Sequence, residues 1–299
     1  MSGFRATVQQ ELIGSSRERM PQALLIVFLG MVSVSSLIGW ISNRTVTEVY
    51  EKVREAGMTT SENPFTHVSP LSYARNDVIY IVLIGALLAI VLGVSSVLRG
   101  RKARIMDLVL SRPIDVQVYL MAKLTGVSLW LAVVMLAAGV IGWASISVIY
   151  GHPLSVDDTL RLLAFFGVSW LFLQVWVALG MVSGLYAGRE TTALLVPIVA
   201  WSVVTFVAPQ LGTAVLPVSL LNPVPAIPIE GGPFTAVHAV LAPISLGEDL
   251  KTAGGVLLRN DAVTGNAGVA VVGIVIALAI GVVLLLATRR ERLRSELRE

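Results

Sequence analysis

The chain has 299 residues, of which 55% are hydrophobic and only 14% are charged. An ordinary soluble domain carries about 25% charged residues, so this chain has too few to cover a water-exposed surface. The composition excludes a soluble enzyme, a disordered chain and the usual basic nucleic-acid-binding protein. The absence of cysteine also excludes disulfides, thiolate metal sites and cysteine nucleophiles.

Six stretches without charged residues are long enough to cross a bilayer, which takes about 20 apolar residues. Buried helices of soluble proteins rarely have uncharged runs of this length. We therefore predict an all-α membrane protein with six transmembrane helices, forming a single transmembrane domain over residues 1–299. The predicted spans are 22–41, 78–98, 124–147, 162–188, 191–208 and 265–288.

The distribution of basic residues predicts the orientation of these spans. With the N-terminus inside, the inner segments hold 15 basic and 8 acidic residues, and the outer segments hold 7 and 11. Basic residues concentrate in cytoplasmic loops, so both termini are expected in the cytoplasm. The inner segments are 1–21, 99–123, 189–190 and 289–299, and the outer segments are 42–77, 151–161 and 209–261.

The N-terminal segment, residues 1–21, has the pattern of an amphipathic helix lying at the membrane interface. Phe4, Val8, Leu12 and Ile13 fall near one helical face, and polar residues occupy the other. A frayed polar tail is the alternative.

The first outer loop also has a helix signal. Thr45 and Glu48 fit a capping box, which predicts a second helix that begins here and ends at Gly57.

The inner loop 99–116 is the only long loop on the predicted cytoplasmic side. It is rich in basic residues, and its centre has the i, i+3, i+4 apolar spacing of a short helix. One interpretation is a basic loop that simply follows the charge rule for cytoplasmic loops. The other is a docking helix for a cytoplasmic partner. The spacing is set by Ile105, Leu108 and Val109, Pro113 ends the helix, and Asp115 can cap the third span.

Three predicted spans carry small residues four positions apart, which lets helix backbones approach closely. We favour packing within the chain, with packing between two chains as the alternative. The small residues are Gly85, Ala89 and Gly93 in the second span, Gly180, Gly184 and Gly188 in the fourth, and Gly273, Ala277 and Gly281 in the sixth.

The outer segment 209–261 contains seven of the 13 prolines but no charge before Glu230. A solvated linker would be more polar, so we predict short re-entrant or interfacial helices in this segment. Ser245 and Glu248 mark a further helix start near its end.

The chain lacks the residues of several chemistries. No acid, lysine or arginine lies in the middle of a predicted span, which argues against ion-coupled transport, and no nucleotide-binding P-loop is present. His67, His152 and His238 fall on the outer side without i, i+4 pairing, so they are weak evidence for a metal site. We predict no catalytic, cofactor or metal site on this chain.

Three short motifs carry a family resemblance. Asp107–Pro113 (DLVLSRP) and Ala122–Gly126 (AKLTG) resemble the inner loop and third-span start of ABC-2 type transporter permeases, and Leu221–Pro223 resembles their asparagine–proline turn. The layout resembles a type V exporter: an interfacial N-terminal helix, six spans, a cytoplasmic coupling helix and outer re-entrant helices before the last span. The subgroup most similar in plan contains the nitrous-oxide-reductase-maturation and gliding-associated permeases.

The resemblance implies a permease subunit in the plasma membrane of a prokaryote that couples ATP hydrolysis to export or to mechanical signalling. It implies as partners a cytoplasmic ABC ATPase dimer that binds ATP and Mg²⁺, a second permease chain, an outer-side accessory protein and membrane lipids, but no nucleic acid. A basic turn at 100–104, where the family is usually acidic, predicts an acidic partner surface. A structural or assembly subunit without transport is the alternative. The coupling residues implied by the resemblance are Arg104, Ile105, Asp107, Leu108, Leu110, Ser111, Arg112 and Pro113.

Overall fold

The computed structural model describes residues 2–59, 69–102, 115–207, 245–260, 263 and 265–287. These residues form helices, helical turns and their connections, with no strand among them. The all-α prediction is confirmed. All eight predicted coupling residues lie in 103–114, outside the described residues, as does the stretch 208–244 that contains most of the predicted re-entrant segment.

Six helices are long and apolar enough to cross a membrane, which confirms the predicted number of spans. A separate helix (Ser2–Arg17) precedes them, and a shorter helix (Leu246–Leu257) lies between the last two. The six are span 1 (Arg19–Glu55), span 2 (Pro70–Gly100), span 3 (Val116–Tyr150), span 4 (Val156–Tyr186), span 5 (Glu190–Val207) and span 6 (Ala267–Leu286).

Span 1 is one continuous helix of 37 residues, so the prediction of a second helix starting at Thr45 is wrong. Neither glycine nor proline occurs between Trp40 and Glu55, so nothing in the sequence breaks the backbone hydrogen bonds there. The predicted end is confirmed, because the helix stops at Glu55 and Gly57 adopts a left-handed φ of 73°.

Spans 2 and 4 form the centre of the bundle. Most of their apolar length is buried inside the chain, whereas spans 1, 5 and 6 are largely exposed. A Cβ atom at Gly180 would lie 2.6 Å from the carbonyl oxygen of Ile90, and one at Gly93 would overlap the carbonyl oxygen of Val177. The two helix backbones touch at these glycines, and Gly184 also meets span 2, so these residues pack within the chain. Gly188 does not, because it lies beyond the end of span 4 and has nothing within 4 Å.

Two spans contain a π-helical turn. In span 2 this turn is Ile81–Gly85, after a short helix at Asp77–Tyr80, and in span 5 it is Val203–Val207. The indole Nε1 of Trp201 donates a hydrogen bond of 3.0 Å to the carbonyl oxygen of Val82, which joins span 5 to the first of these turns.

The bundle therefore has two distinct ends. The N-terminal helix and both flanks of the segment 103–114 lie at one of them, called here the N-terminal end. The helix Leu246–Leu257 lies at the other, called the far end, beside the first residues of spans 2 and 4.

Candidate functional site

A polar face of the N-terminal helix packs against the bundle. Glu11 and Ser15 on this helix are 2% and 0% exposed, whereas the apolar side chains of Phe4 and Ile13 remain exposed. Burying a carboxylate in this way is unfavourable unless cations and hydrogen-bond donors surround it. Glu11 is therefore the residue around which the contact with the bundle is built.

Two cations from different spans meet at Glu11. Arg99 of span 2 places Nη2 2.5 Å from Oε2 of Glu11, and Lys123 of span 3 directs Nζ at Oε1. Lys123 Nζ also donates a hydrogen bond of 2.6 Å to the carbonyl oxygen of Ser96. One carboxylate thus joins the N-terminal helix to spans 2 and 3.

A second anion balances the charge. Arg99 Nη1 lies 2.8 Å from Oε1 of Glu18, so two carboxylates face one guanidinium and one ammonium. A buried ion group is tolerated when its charges cancel and its hydrogen bonds are satisfied. We call these four residues, Glu11, Glu18, Arg99 and Lys123, the ion cluster.

Two glycines allow the helices to approach closely at the ion cluster. A Cβ at Gly126 would lie 2.6 Å from Cβ of Glu11, and a Cβ at Gly14 would lie 3.1 Å from Cζ of Arg99. A side chain at Gly126 would push the N-terminal helix away from span 3, and one at Gly14 would displace the Arg99 guanidinium by a few tenths of an ångström.

The ion cluster includes residues close to both ends of the segment 103–114. Arg99 precedes this segment by one turn, and Lys123 follows it by two turns of span 3. The start of span 3 is fixed locally, because the Asp115 side chain accepts a hydrogen bond of 3.0 Å from the backbone N–H of Gln117. This confirms the predicted cap.

Span 3 is also tied to span 6 at this end. The side-chain amide of Gln117 donates a hydrogen bond of 3.2 Å to the carbonyl oxygen of Leu286. The residues that flank 103–114 are therefore connected to the N-terminal helix and to spans 2, 3 and 6.

Residues 9–290 match the family model described as ABC-2 family transporter protein. The chain belongs to the ABC-2 transporter family. A comparison with curated proteins gives no match. As an ABC-2 protein the chain is the multi-pass membrane component of a transporter, and permeases of this family generally work with a cytoplasmic ATPase subunit.

The ion cluster of this ABC-2 protein was missed from the sequence, although one signal was present. Lys123 is the only charged residue between Asp115 and Asp157, so a 35-residue apolar helix carries a single cation. Such a cation needs a buried anion. The anion could not be identified, because Glu11 lies 112 positions away.

The far end has a separate group of ion pairs. Arg259, at a left-handed φ of 53°, directs its guanidinium at Asp157 and lies 3.5 Å from Asp158, and Arg161 lies 2.9 Å from Asp157.

Among the residues that the structure describes, no three histidines or acids lie close enough to hold a metal ion. His152 packs edge-on against Tyr150, while His67 and His238 lie outside those residues.

Proposed function

We propose that this chain is the permease subunit of an ATP-binding cassette transporter, and that it couples ATP hydrolysis on a separate ATPase chain to export or to mechanical signalling. The observation that carries the proposal is the family match, which covers residues 9–290. The ion cluster supports it, because its ion pairs join the residues on both sides of 103–114 to the N-terminal helix.

In this proposal residues 105–110 form the coupling helix. Leu108 and Leu110 would provide apolar anchors in a groove of the ATPase, and Asp107 and Arg112 would provide charged contacts. Arg104 and Ile105 would begin the docking surface, and Ser111 and Pro113 would end it. Closure of two ATP-bound ATPase chains, which bind the nucleotide and Mg²⁺, would then shift the permease between two states with different contacts.

The charges near the coupling helix favour an acidic partner surface. Arg101, Lys102 and Arg104 lie together in the sequence just before the predicted helix. We therefore expect the permease–ATPase complex to weaken as the salt concentration rises, because screening reduces attraction between exposed charges.

The exposed apolar faces of spans 1, 5 and 6 suit contact with lipid and with a second permease chain. In this arrangement the N-terminal end faces the cytoplasm of a prokaryotic cell and the far end meets any outer accessory protein. The similarity to nitrous-oxide-reductase-maturation and gliding-associated permeases stays a prediction. A structural or assembly subunit without transport is the competing function, and it differs in having no dependence on ATP.

The proposal is tested by purifying the tagged full-length chain from membranes of its native host. An ATPase chain should co-purify and hydrolyse ATP, and Leu108→Glu should remove it because a carboxylate cannot occupy an apolar groove. The matched control is Met58→Glu, which places the same charge at the far end, where Met58 is 79% exposed.

Both variants should reach the membrane and melt at similar temperatures, so that loss of the partner is not loss of folding. The proposal is wrong if no ATPase accompanies the wild-type chain, or if Leu108→Glu retains it at wild-type strength. Retention of a large complex that never hydrolyses ATP would favour the assembly subunit.

A further inference from the structure

Span 2 begins with a carboxyl group that no described side chain neutralises. Asp77 is 0% exposed, and neither of its carboxylate oxygens has a hydrogen-bond partner among the described residues. The hydroxyl of Ser35, on span 1, lies beside it, is also fully buried and likewise lacks a standard hydrogen bond. Two polar groups are therefore enclosed together near the far end of the bundle.

No cation among the described residues packs against this carboxyl group. Span 1 has no charged residue between Arg19 and Arg44, and Ser35 lies in the middle of that stretch. On its own segment, Arg75 directs Nη2 at the carbonyl oxygen of Arg259, at 3.1 Å. The remaining titratable groups of that segment are Tyr73 and Tyr80.

The helix Leu246–Leu257 packs on the other side of the same segment, where Val78 contacts Gly254. Its charged residues have their own neighbours. Lys251 lies 3.5 Å from Glu248, and the carboxylate of Asp249 lies against Gly273 of span 6.

An ionised carboxylate is strongly disfavoured in such a place. Burial removes the solvation of a charge, and one neighbouring hydroxyl, that of Ser35, offsets only part of this loss. The neutral acid avoids this penalty, and its O–H group can donate to the oxygen of Ser35. A neutral Asp77 therefore fits the enclosed site better than an ionised one.

The backbone next to Asp77 is irregular. The π turn Ile81–Gly85 follows one turn later, and Trp201 bridges it to span 5, whose own π turn is Val203–Val207. Such turns are frequent at functional sites and allow a helix to bend. Thr205, within the second π turn, is 1% exposed, and its hydroxyl also lacks a partner in the part of the chain that the structure describes.

We propose that Asp77 is a proton-binding residue that controls the far-end contact between spans 2 and 5. With its proton bound, the contact is closed. Release of the proton to water leaves a carboxylate that must be hydrated, so water enters and the contact between Trp201 and Val82 opens. The hydroxyls of Ser35 and Thr205 gain hydrogen bonds to that water, which favours the open form further.

The absence of cysteine from the sequence gives a direct test. Thr205→Cys places a single buried thiol in the second π turn, and Met58→Cys places an exposed reference thiol at the same end of the bundle. A small water-soluble thiol reagent is applied to each purified full-length chain across mildly acidic to mildly alkaline pH. Any thiol reacts faster as the pH rises, because more of it is ionised. The reaction rate of the Thr205→Cys chain is therefore divided by that of the reference chain, which corrects for this general effect.

This ratio should rise by roughly fivefold or more with pH, a typical size for coupling between a binding event and a conformational change. With Asp77→Asn also present the ratio should stay low and flat, because the amide cannot ionise. An equal rise in both backgrounds, or a buried thiol that never reacts, overturns the proposal. A ratio that follows the sodium or potassium concentration at fixed pH also overturns it, because the carboxylate would then bind a metal cation.

A second measurement covers the case in which Asp77→Asn does not fold. Infrared difference spectra of the chain carrying Asp249→Asn should show the carbonyl band of a protonated carboxylic acid that disappears as the pH rises. Asp77→Glu should retain a shifted band of this kind. A chain without such a band contradicts the proposal. Neither measurement involves an ATPase, so failure here leaves the proposed coupling function unaffected.

Discussion

Glu11 is the shared anion of the ion cluster, and its position makes the N-terminal helix part of the bundle. Its two oxygens are divided between Arg99 and Lys123, so removing the carboxylate leaves two cations with half of their balancing charge. Removing one partner of a buried ion pair is far more damaging than removing a partner of an exposed one.

We therefore expect Glu11→Gln to lower the free energy of unfolding by about 3 kcal/mol, because Lys123 loses its anion in a buried site. The matched control is Glu48→Gln, which breaks an exposed pair with Arg44 four residues away and should cost at most about 0.5 kcal/mol. Denaturation of both variants in the same detergent gives the comparison. Equal losses would show that the ion cluster does not stabilise the chain.

Asp249 predicts a pH dependence of stability. Burial, together with the neighbouring charge of Glu248, raises the pKa of Asp249 from 3.8 to about 6. The folded chain thus holds this proton more tightly than the unfolded chain, so the stability contributed by the neutral acid is present below pH 3.8 and is lost as the pH rises to about 6. Asp249→Asn should reduce the change of the melting temperature with pH across this interval. The assignment would be contradicted if the melting temperature of this variant varied with pH as that of the wild-type chain does.

At the scale of elements, the contact between spans 2 and 4 determines how tightly the centre packs. Gly93 and Gly180 bring the two backbones into direct contact, so any side chain there must displace a neighbouring carbonyl group rather than a flexible side chain. Spans 1, 5 and 6 surround this centre with exposed apolar faces, so their packing depends on lipid or on another chain.

Gly180→Ala should destabilise the chain by about 1–3 kcal/mol, because the added methyl group would lie 2.6 Å from the carbonyl oxygen of Ile90. Gly167→Ala, on the same span, is the control: nothing lies within 4 Å of the added methyl, and alanine favours a helix by about 1 kcal/mol. Thermal melting should therefore move in opposite directions for the two variants. A parallel shift would show that the glycine contact is not tight.

At the scale of the whole molecule, the two ends of the bundle have different chemistry. The N-terminal end holds the balanced ion cluster, and the far end holds the Asp157–Arg259 pairs and the enclosed Asp77. The orientation predicted from the loop charges stays a prediction, which a labelling experiment can test.

Single cysteines report that orientation in intact cells. Met58→Cys, at the far end, should react with a membrane-impermeant maleimide, and Ser16→Cys, on the exposed side of the N-terminal helix, should react only after the membrane is permeabilised. The reason is that a charged reagent reaches only the outer surface. The reverse pattern would place the N-terminal end outside and would remove the coupling proposal with it.

The sequence predicted the elements better than their contacts. A long uncharged stretch identifies a membrane helix because a bilayer excludes charge along its whole thickness. The start of span 3 was also predictable, because the Asp115 side chain caps a backbone N–H only two residues away. The ion cluster depends on residues about 90 to 110 positions apart, and helical periodicity carries no information on such pairs. Asp77 was placed just outside a predicted span, although its side chain is fully enclosed.

Because span 1 is one continuous helix, its part outside the membrane moves together with its part inside. Its uncharged part, 22–41, has about the length of the hydrocarbon layer, so residues 42–55 continue for roughly 20 Å beyond that layer. A tilt of about 10° within the membrane would sweep the tip near Glu55 sideways by roughly 3 to 4 Å, because a continuous helix does not bend at the surface. Small rotations inside the bilayer would thus become displacements large enough for a protein resting on that tip to sense.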